Sequence, residues 1–325
     1  MKKIGLIIGK FMPAHKGHLK LIEFGQRQCD ELVVAVCSRP DEPIEGKLRY
    51  QWMKEILQDN KKIKVVWVRK NLPQDSEPSR RASKIWSNYL KKRFGEINII
   101  FSSEIYGDYL AEYMNIQHKQ FDLARKTIPI SATDIRNHPF ENWKYVPKVV
   151  KPYFVKKICI YGSESTGKST LTKQLAKYYK TEYVPEFARE YIENRNNKFC
   201  FDDMEKIGRG QLALEKRTIK NANKFLFCDT DSITTAIYSQ HYFGKVPRLV
   251  EELANEKRFD LYLFTETDIP WVDDPQRDLG KRRKEFDEIF RSNLTERNIS
   301  YQVTSGKGRA RLNLAIEIIE RFLKK

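Results

Sequence analysis

Cysteine and histidine are scarce in this chain, with five of each among 325 residues. Cys29, Cys37, Cys159, Cys200 and Cys228 never form a C-x-x-C pair, and three of them fall inside apolar runs that read as buried strands. That usage argues against a disulfide framework and for a reduced, cytoplasmic chain. No run of about 18 apolar residues occurs, so no membrane-spanning helix is expected. The start, MKKIGLIIGKFMPAHKGH, has a basic end, but its apolar part is short and no small-residue cleavage site follows. It reads as a first strand, not a signal peptide. Internal repeats and low-complexity tracts are absent as well. Acidic residues are in deficit: 60 Lys and Arg stand against 43 Asp and Glu, a net charge of +17. Nucleic acid, a polyphosphate ligand or a merely basic surface would each fit that balance. The basic residues are scattered singly and in pairs, without a helix-turn-helix pattern or aromatic-basic repeats.

What is present is an alternation. The apolar runs KIGLIIG, ELVVAVCS, IKVVWV and INIIFSS are separated by helix-like stretches, GHLKLIEFGQRQ, LRYQWMKEILQ and SKIWSNYLKKRF. Continuous apolar strands between amphipathic helices predict a parallel sheet covered on both faces. The stretch NHPFENWKYVPKVVKPYFVKK, with prolines at 139, 147 and 152, reads as a linker. After it the pattern restarts with KICIYG, TEYVPE, KFLFCD, FDLYLFTE and ISYQV. The expectation is therefore α/β, in two domains with mostly parallel sheets, residues 1–153 and 154–325.

Two of the five histidines, His15 and His18, stand three residues apart just behind the first strand. Ligands of open parallel sheets bind beyond the carboxyl ends of the strands. Gly9 allows close backbone approach there, and a helix starting near Gly17 offers free N–H groups to phosphate. At such a corner the histidines are donors that can carry charge. The alternatives are helix caps or a metal pair, the latter without a third ligand nearby. Arg49 is a further candidate contact, or solvated surface.

The segment Gly162 to Thr170, GSESTGKST, matches G-x-x-x-x-G-K-[ST] between a strand and a helix, the context a phosphate-binding P-loop requires. Backbone N–H groups from Gly162, Ser163, Glu164, Ser165, Thr166 and Gly167 onward would cradle phosphates. Lys168 would reach the β- and γ-phosphates, and Ser169 would place its hydroxyl on Mg²⁺. The run KFLFCDTD supplies Asp229 and Asp231 for the metal shell, although Asp231 also suits a plain helix cap.

The string G-x-F-x-P-x-H-x-G-H resembles the signature of the H-x-G-H nucleotidyltransferases, and ISATDIR, residues 130 to 136, resembles their second signature. That resemblance implies transfer of a nucleotidyl group from ATP, with pyrophosphate leaving. It implies that His15 and His18 hold the α- and β-phosphates, assisted by Lys16. Gly9, Lys10 and Phe11 would join the ATP site, and Ser131, Thr133 and Arg136 would hold the β- and γ-phosphates. The second half resembles nucleoside kinases. There Glu186 would accept the hydroxyl proton, or else pair with Arg189, itself set among the substrate-binding residues. Arg277, Arg282 and Arg283, in PQRDLGKRR, resemble a kinase lid; a solvated basic helix face is the alternative. Together with FSSEIYGDYLAEYM, FDLARKTIPISATDIRNHPFENW and DIPWVDDPQRDLGKRR, these motifs resemble the NadR-type family over essentially the whole chain. That implies a nicotinamide-nucleotide adenylyltransferase joined to a nicotinamide-riboside kinase. ATP, nicotinamide riboside, nicotinamide mononucleotide and NAD would be its small-molecule partners, with Mg²⁺ as cofactor. Trp271 would stack on the nicotinamide ring or act as an exposed anchor. The helix-turn-helix domain of some members is not expected here, since the chain opens on the first strand. Nucleic acid is not an expected partner, and a homo-oligomer is left open. A pantetheine-phosphate adenylyltransferase joined to a dephospho-coenzyme A kinase has the same layout, and a basic nucleic-acid-binding regulator is the rival from another class.

Overall fold

The computed structural model describes residues 2–73, 79–256, 258–274, 276 and 279–324. The chain divides into two compact units, Met1–Lys151 and Pro152–Lys325. The first holds strands β1 (Ile4–Gly9), β2 (Glu31–Ser38), β3 (Ile63–Arg69), β4 (Ile99–Ser102) and β5 (Gln117–Gln120). Its helices are α1 (Lys16–Gln26), α2 (Gly46–Leu57), α3 (Arg80–Phe94), α4 (Tyr106–Met114) and α5 (Ala132–Asn137), and α6 (Lys151–Phe154) follows. The second holds strands β6 (Lys156–Tyr161), β7 (Tyr183–Val184), β8 (Phe225–Asp229), β9 (Leu261–Thr265) and β10 (Tyr301–Thr304). Its helices are α7 (Lys168–Tyr179), α8 (Phe187–Glu193), α9 (Phe201–Thr218), α10 (Ser232–Phe243), α11 (Arg248–Asn255), α12 (Arg283–Glu296) and α13 (Arg309–Leu323).

Each unit is built on one five-stranded sheet, ordered β3-β2-β1-β4-β5 and β10-β9-β6-β8-β7, with every pairing parallel. The apolar runs explain this. From Leu32 to Ser38 β2 is buried throughout, and β8 and β9 are buried at every residue, as strands covered on both faces must be. Leu6, Val33, Ala35, Ile100, Trp86 and Leu90 share one core cluster, and Tyr161, Phe264, Phe286 and Phe290 share another. In both sheets the first strand of the unit lies in the middle, so the chain leaves it in one direction and later returns to its other side. That reversal opens a crevice at the carboxyl end of β1 and of β6.

One expectation changes, and one strand is added that carried no expectation. Residues 138–155 are not an extended linker: Trp143, Val146, Val150 and Val155 are buried, and short helical turns occupy Trp143–Tyr145 and Lys151–Phe154. Their apolar side chains fold back where the prolines alone suggested exposure. Strand β5, with the sequence QHKQ, carries no apolar signal; it pairs along the sheet edge with β4. Among the described residues no helix is long and apolar enough to cross a membrane.

Candidate active sites

The first cavity, about 580 Å³, lies at the carboxyl end of β1. Gly9, Lys10, Phe11, His15, His18, Thr133 and Arg136 all line it. His15 is the N-cap of α1. Its Nδ1 accepts from the N–H groups of Gly17 (3.1 Å) and His18 (3.4 Å), and the Nδ1 of His18 accepts from the N–H of His15 (3.3 Å). Both acceptor nitrogens are thus used by the backbone, and a neutral ring must carry its proton on Nε2. Burial pushes the His15 imidazolium down to about 4 and His18 well below the ordinary range, with the Arg125 charge adding to both. The histidines, expected as donors that can carry charge, are therefore neutral donors in this state. Phe11, in the left-handed region at φ 48°, sets its ring edge-on to His18 at 4.9 Å and is buried.

Arg136 donates to the carbonyl of Met12 and, at 3.0 Å, to Thr133 Oγ1, tying the ISATDIR turn to the H-x-G-H loop. Ser131 does not line the cavity. It is the N-cap of α5, its hydroxyl exchanging hydrogen bonds with Asp134 in a capping box. Lys16 points outward, exposed and off the cavity wall, because α1 begins at Lys16 and turns that position to solvent. Arg49 is neither surface nor phosphate contact. It is fully buried, paired with Glu42, and donates to the carbonyls of Lys10 (2.6 Å) and Cys37 (3.2 Å). A residue that sequence reasoning missed is Arg125. It lines the cavity, its loop braced by Asp122, which accepts from the N–H groups of Lys126 and Thr127. Trp86 lines the same cavity. Arg125 lies within FDLARKTIPISATDIRNHPFENW without being singled out there, and Trp86 belongs to no motif.

The second cavity, about 380 Å³, lies at the carboxyl end of β6 and is lined by Glu164 to Thr170 together with Glu186, Arg189, Tyr238, Tyr242 and Gln276. The P-loop conformation is made by two glycines. Gly162 has φ 144° and a Cβ there would stand 3.0 Å from the Thr265 carbonyl; Gly167 has φ 81°. Buried hydroxyls of Thr166 and Thr265 meet at 2.7 Å beneath the loop. Lys168 Nζ donates to the Ser163 carbonyl at 2.7 Å. Ser163 and Gly162 lie behind the cavity wall rather than in it.

Asp229 and Asp231 part ways. Asp229 ends β8, is buried, and has an Oδ1 without a hydrogen-bond partner among the described residues; it interacts with Lys168, Ser169, Lys173 and Arg189. Burial pushes its carboxyl up, against the Lys168 charge. A buried carboxylate oxygen with no proton donor, beside a hydroxyl at the start of α7, suits a hard cation such as Mg²⁺. Asp231 does not suit one. It is the N-cap of α10, Oδ1 accepting from the Thr234 N–H (3.1 Å) and Oδ2 from the Tyr262 hydroxyl (2.8 Å), so both oxygens are used. Among the described residues no group of three His, Cys, Asp or Glu side chains is placed to hold a metal.

The lid expectation is also revised. Arg282 pairs with Glu285 (2.7 Å) and lies over Phe286, off the cavity wall. Arg283 donates to the carbonyls of Ile269 (2.7 Å) and Ser165 (3.0 Å), so it braces the P-loop from outside. Arg277 lies outside the described residues. Trp271 stacks against Gly280 and donates to Asp273 (2.8 Å), away from the cavity wall, because the Gly280 backbone leaves it room. Arg189 lines the cavity, but its guanidinium is tied to Asp274 and to Glu193 (3.3 Å). Sequence reasoning missed Tyr238 and Tyr242, which carry no motif, and did not single out Gln276 within DIPWVDDPQRDLGKRR.

The cytidylyltransferase-like family matches residues 6–138, and the AAA domain family matches residues 157–311. A protein of Escherichia coli, the trifunctional NAD biosynthesis/regulator protein NadR, is 33% identical over 327 residues, covering 92% of this chain and 78% of that protein. The chain belongs to the NadR family. A crystal structure of NadR protein in complex with NAD and AMP-PNP matches it with a TM-score of 0.82 at 26% identity, covering 100% of this chain and 97% of that one. Another, of NadR protein in complex with NR, matches with a TM-score of 0.81 at 25% identity, covering 99% and 96%. The nicotinamide-nucleotide adenylyltransferase of Thermococcus onnurineus is 28% identical over 166 residues, 49% of this chain and 84% of that protein. A nucleotidyltransferase unit therefore precedes a P-loop unit, both α/β.

Proposed function

We propose that this chain makes NAD from nicotinamide riboside in two ATP-dependent steps. The second unit phosphorylates the 5′-hydroxyl of the riboside, giving nicotinamide mononucleotide and ADP. The first unit joins that mononucleotide to the adenylyl group of a second ATP, giving NAD and pyrophosphate. The observation that carries this reading is the pair of phosphate-ready cavities, each at the carboxyl end of the middle strand of its own sheet.

In the first cavity the Nε2–H groups of His15 and His18 are donors held by the backbone for the α- and β-phosphates. Arg136 and Arg125 supply the positive charge, and Thr133 a hydroxyl. Charge builds on the bridging and non-bridging oxygens as pyrophosphate departs, and fixed donors stabilise it without reorganising. The acceptor phosphate is already anionic and needs no base.

In the second cavity the loop N–H groups and Lys168 receive the β- and γ-phosphates. Lys168 exchanges its bond to the Ser163 carbonyl for one to phosphate. Ser169 and Asp229 would hold Mg²⁺, which neutralises phosphate charge when bound. Glu186, at the head of α8 and on the cavity wall, accepts the proton of the attacking hydroxyl. The test is product analysis of the full chain with ATP, Mg²⁺ and nicotinamide riboside. Nicotinamide mononucleotide with ADP, then NAD with pyrophosphate, is expected. Turnover of dephospho-coenzyme A in place of the riboside would overturn the reading.

A further inference from the structure

Glu164 is out of keeping with its position. It is the third residue of the loop that would wrap the phosphates, and like charges at such range repel. Yet its side chain lines the second cavity together with Glu186 and Tyr238. Tyr238 has little freedom: its ring lies parallel to Phe286 at 6.2 Å and to Tyr242 at 6.2 Å, and meets Phe290 edge-on at 6.0 Å. The Tyr238 hydroxyl lies close enough to Glu164 and Glu186 to feel both carboxyl groups. Burial and those two acids keep that proton in place, so the tyrosine is a permanent donor beside Glu164.

One cavity thus holds two carboxylates in different settings. Glu186 heads α8 within reach of the Arg189 charge, whereas Glu164 sits on the loop beside a rigid phenol. A carboxylate accepts hydrogen bonds and gives none, so a deprotonated phosphate is a poor partner for it and a sugar hydroxyl is a good one. A riboside brings one attacking hydroxyl and two ring hydroxyls. We propose that Glu164, oriented by Tyr238, accepts a hydrogen bond from a ring hydroxyl of the riboside acceptor, and so selects ribosides over deoxyribosides. The inference rests on the riboside-kinase reading above. It divides the work: Glu186 takes the 5′-hydroxyl proton, and Glu164 holds the ring.

The test compares kcat/KM of the full chain for nicotinamide riboside and its 2′-deoxy and 3′-deoxy analogues, with AMP-PNP binding measured alongside. The wild-type chain should reject at least one analogue by about 10²-fold or more, as sites built around a substrate hydroxyl do. Glu164→Ala should erase most of that rejection, raising KM for the riboside far more than it lowers kcat. Glu164→Gln, which keeps an acceptor oxygen, should retain part of it, and Tyr238→Phe should weaken it. Glu186→Gln should lower kcat and leave the rejection in place. Full rejection of both analogues by Glu164→Ala, or none by the wild type, overturns the proposal. So does a Glu164→Gln variant that loses AMP-PNP binding as steeply as riboside binding, since Glu164 would then serve the phosphates. A wild-type chain that phosphorylates no riboside at all overturns the kinase reading first, and this inference with it.

Discussion

The rings of His15 and His18 stack 3.7 Å apart at an interplanar angle of 27°. Two imidazolium cations would not hold that arrangement, and burial disfavours either charge. Each ring spends its Nδ1 on a backbone N–H of the other's residue, so the stack is a reciprocal helix cap whose free edges are both N–H donors. A cap of this kind sets the two donors side by side at the mouth of the cavity before any nucleotide arrives, which is the preorganisation that phosphate transfer uses.

Burial of His15 makes stability depend on pH. The unfolded imidazole of residue 15 takes a proton near pH 6.5, whereas the folded one waits until about 4. A depressed folded value means that the stability is fully present above pH 6.5 and is lost as pH falls toward 4. The loss attributable to His15 should be on the order of 3 kcal/mol across that window. Thermal midpoints of the wild type and His15→Gln, measured from pH 7.5 to 4.5, should converge as pH falls. Parallel curves would contradict the buried neutral histidine.

Arg125 should act on both histidines and on the nucleotide. Its charge helps to depress His15 and His18, so Arg125→Ala should raise both in an NMR titration of the ligand-free chain. The same variant should lose about tenfold or more of adenylyl transfer, since a charge-assisted donor to phosphate is worth about 1.5–3 kcal/mol. Arg125→Lys should recover part of it. An Arg125→Ala chain with unchanged kcat/KM for both ATP and mononucleotide would remove the residue from the site.

Asp229 and Asp231 should give opposite phenotypes although only one residue separates them. Asp231→Ala strips a buried cap and orphans the Tyr262 hydroxyl, so unfolding free energy should fall by about 1–3 kcal/mol. Asp229→Asn removes a buried charge whose Oδ1 has no donor, so the thermal midpoint should hold or rise. Its kinase rate should fall by about 10²-fold, with a raised requirement for Mg²⁺. Equal destabilisation by both variants would refute the division.

The architecture was legible because it is written in apolar runs. KICIY and FLFCD can only be covered strands, and their order with the helices between them leaves few topologies. The phosphate corners were legible because Gly162, Gly167, His15 and His18 satisfy local backbone demands at fixed spacing. What the sequence hid depends on long-range placement. Strand β5 is four polar residues that pair only because β4 offers an edge. Whether Asp229 or Asp231 keeps an unpartnered oxygen depends on which of them caps α10. Trp271 and Arg282 carry the right chemistry but are claimed by Gly280 and Glu285. Arg49 resembles a surface cation in the string KLRYQWM, and only the fold closes Glu42 and two carbonyls around it.

The two cavities should be separable by substitution. Among the described residues they share no lining residue, and each is built at the end of its own sheet. They also cut ATP at different places. Attack at the α-phosphorus expels pyrophosphate, while attack at the γ-phosphorus expels ADP, and a single bound pose cannot place both leaving groups in line. His18→Ala should therefore stop pyrophosphate release from nicotinamide mononucleotide and ATP while ADP formation from the riboside continues. Lys168→Ala should stop ADP formation and spare pyrophosphate release. Each loss should reach about 10²-fold or more, because a preorganised donor to developing charge is worth roughly 3 kcal/mol. His18 also closes the cap of α1, so its variant must first be shown to melt cooperatively. A cooperatively folded chain in which either substitution silences both reactions would mean that one ATP site serves both steps, and the assignment of a separate reaction to each sheet would fall.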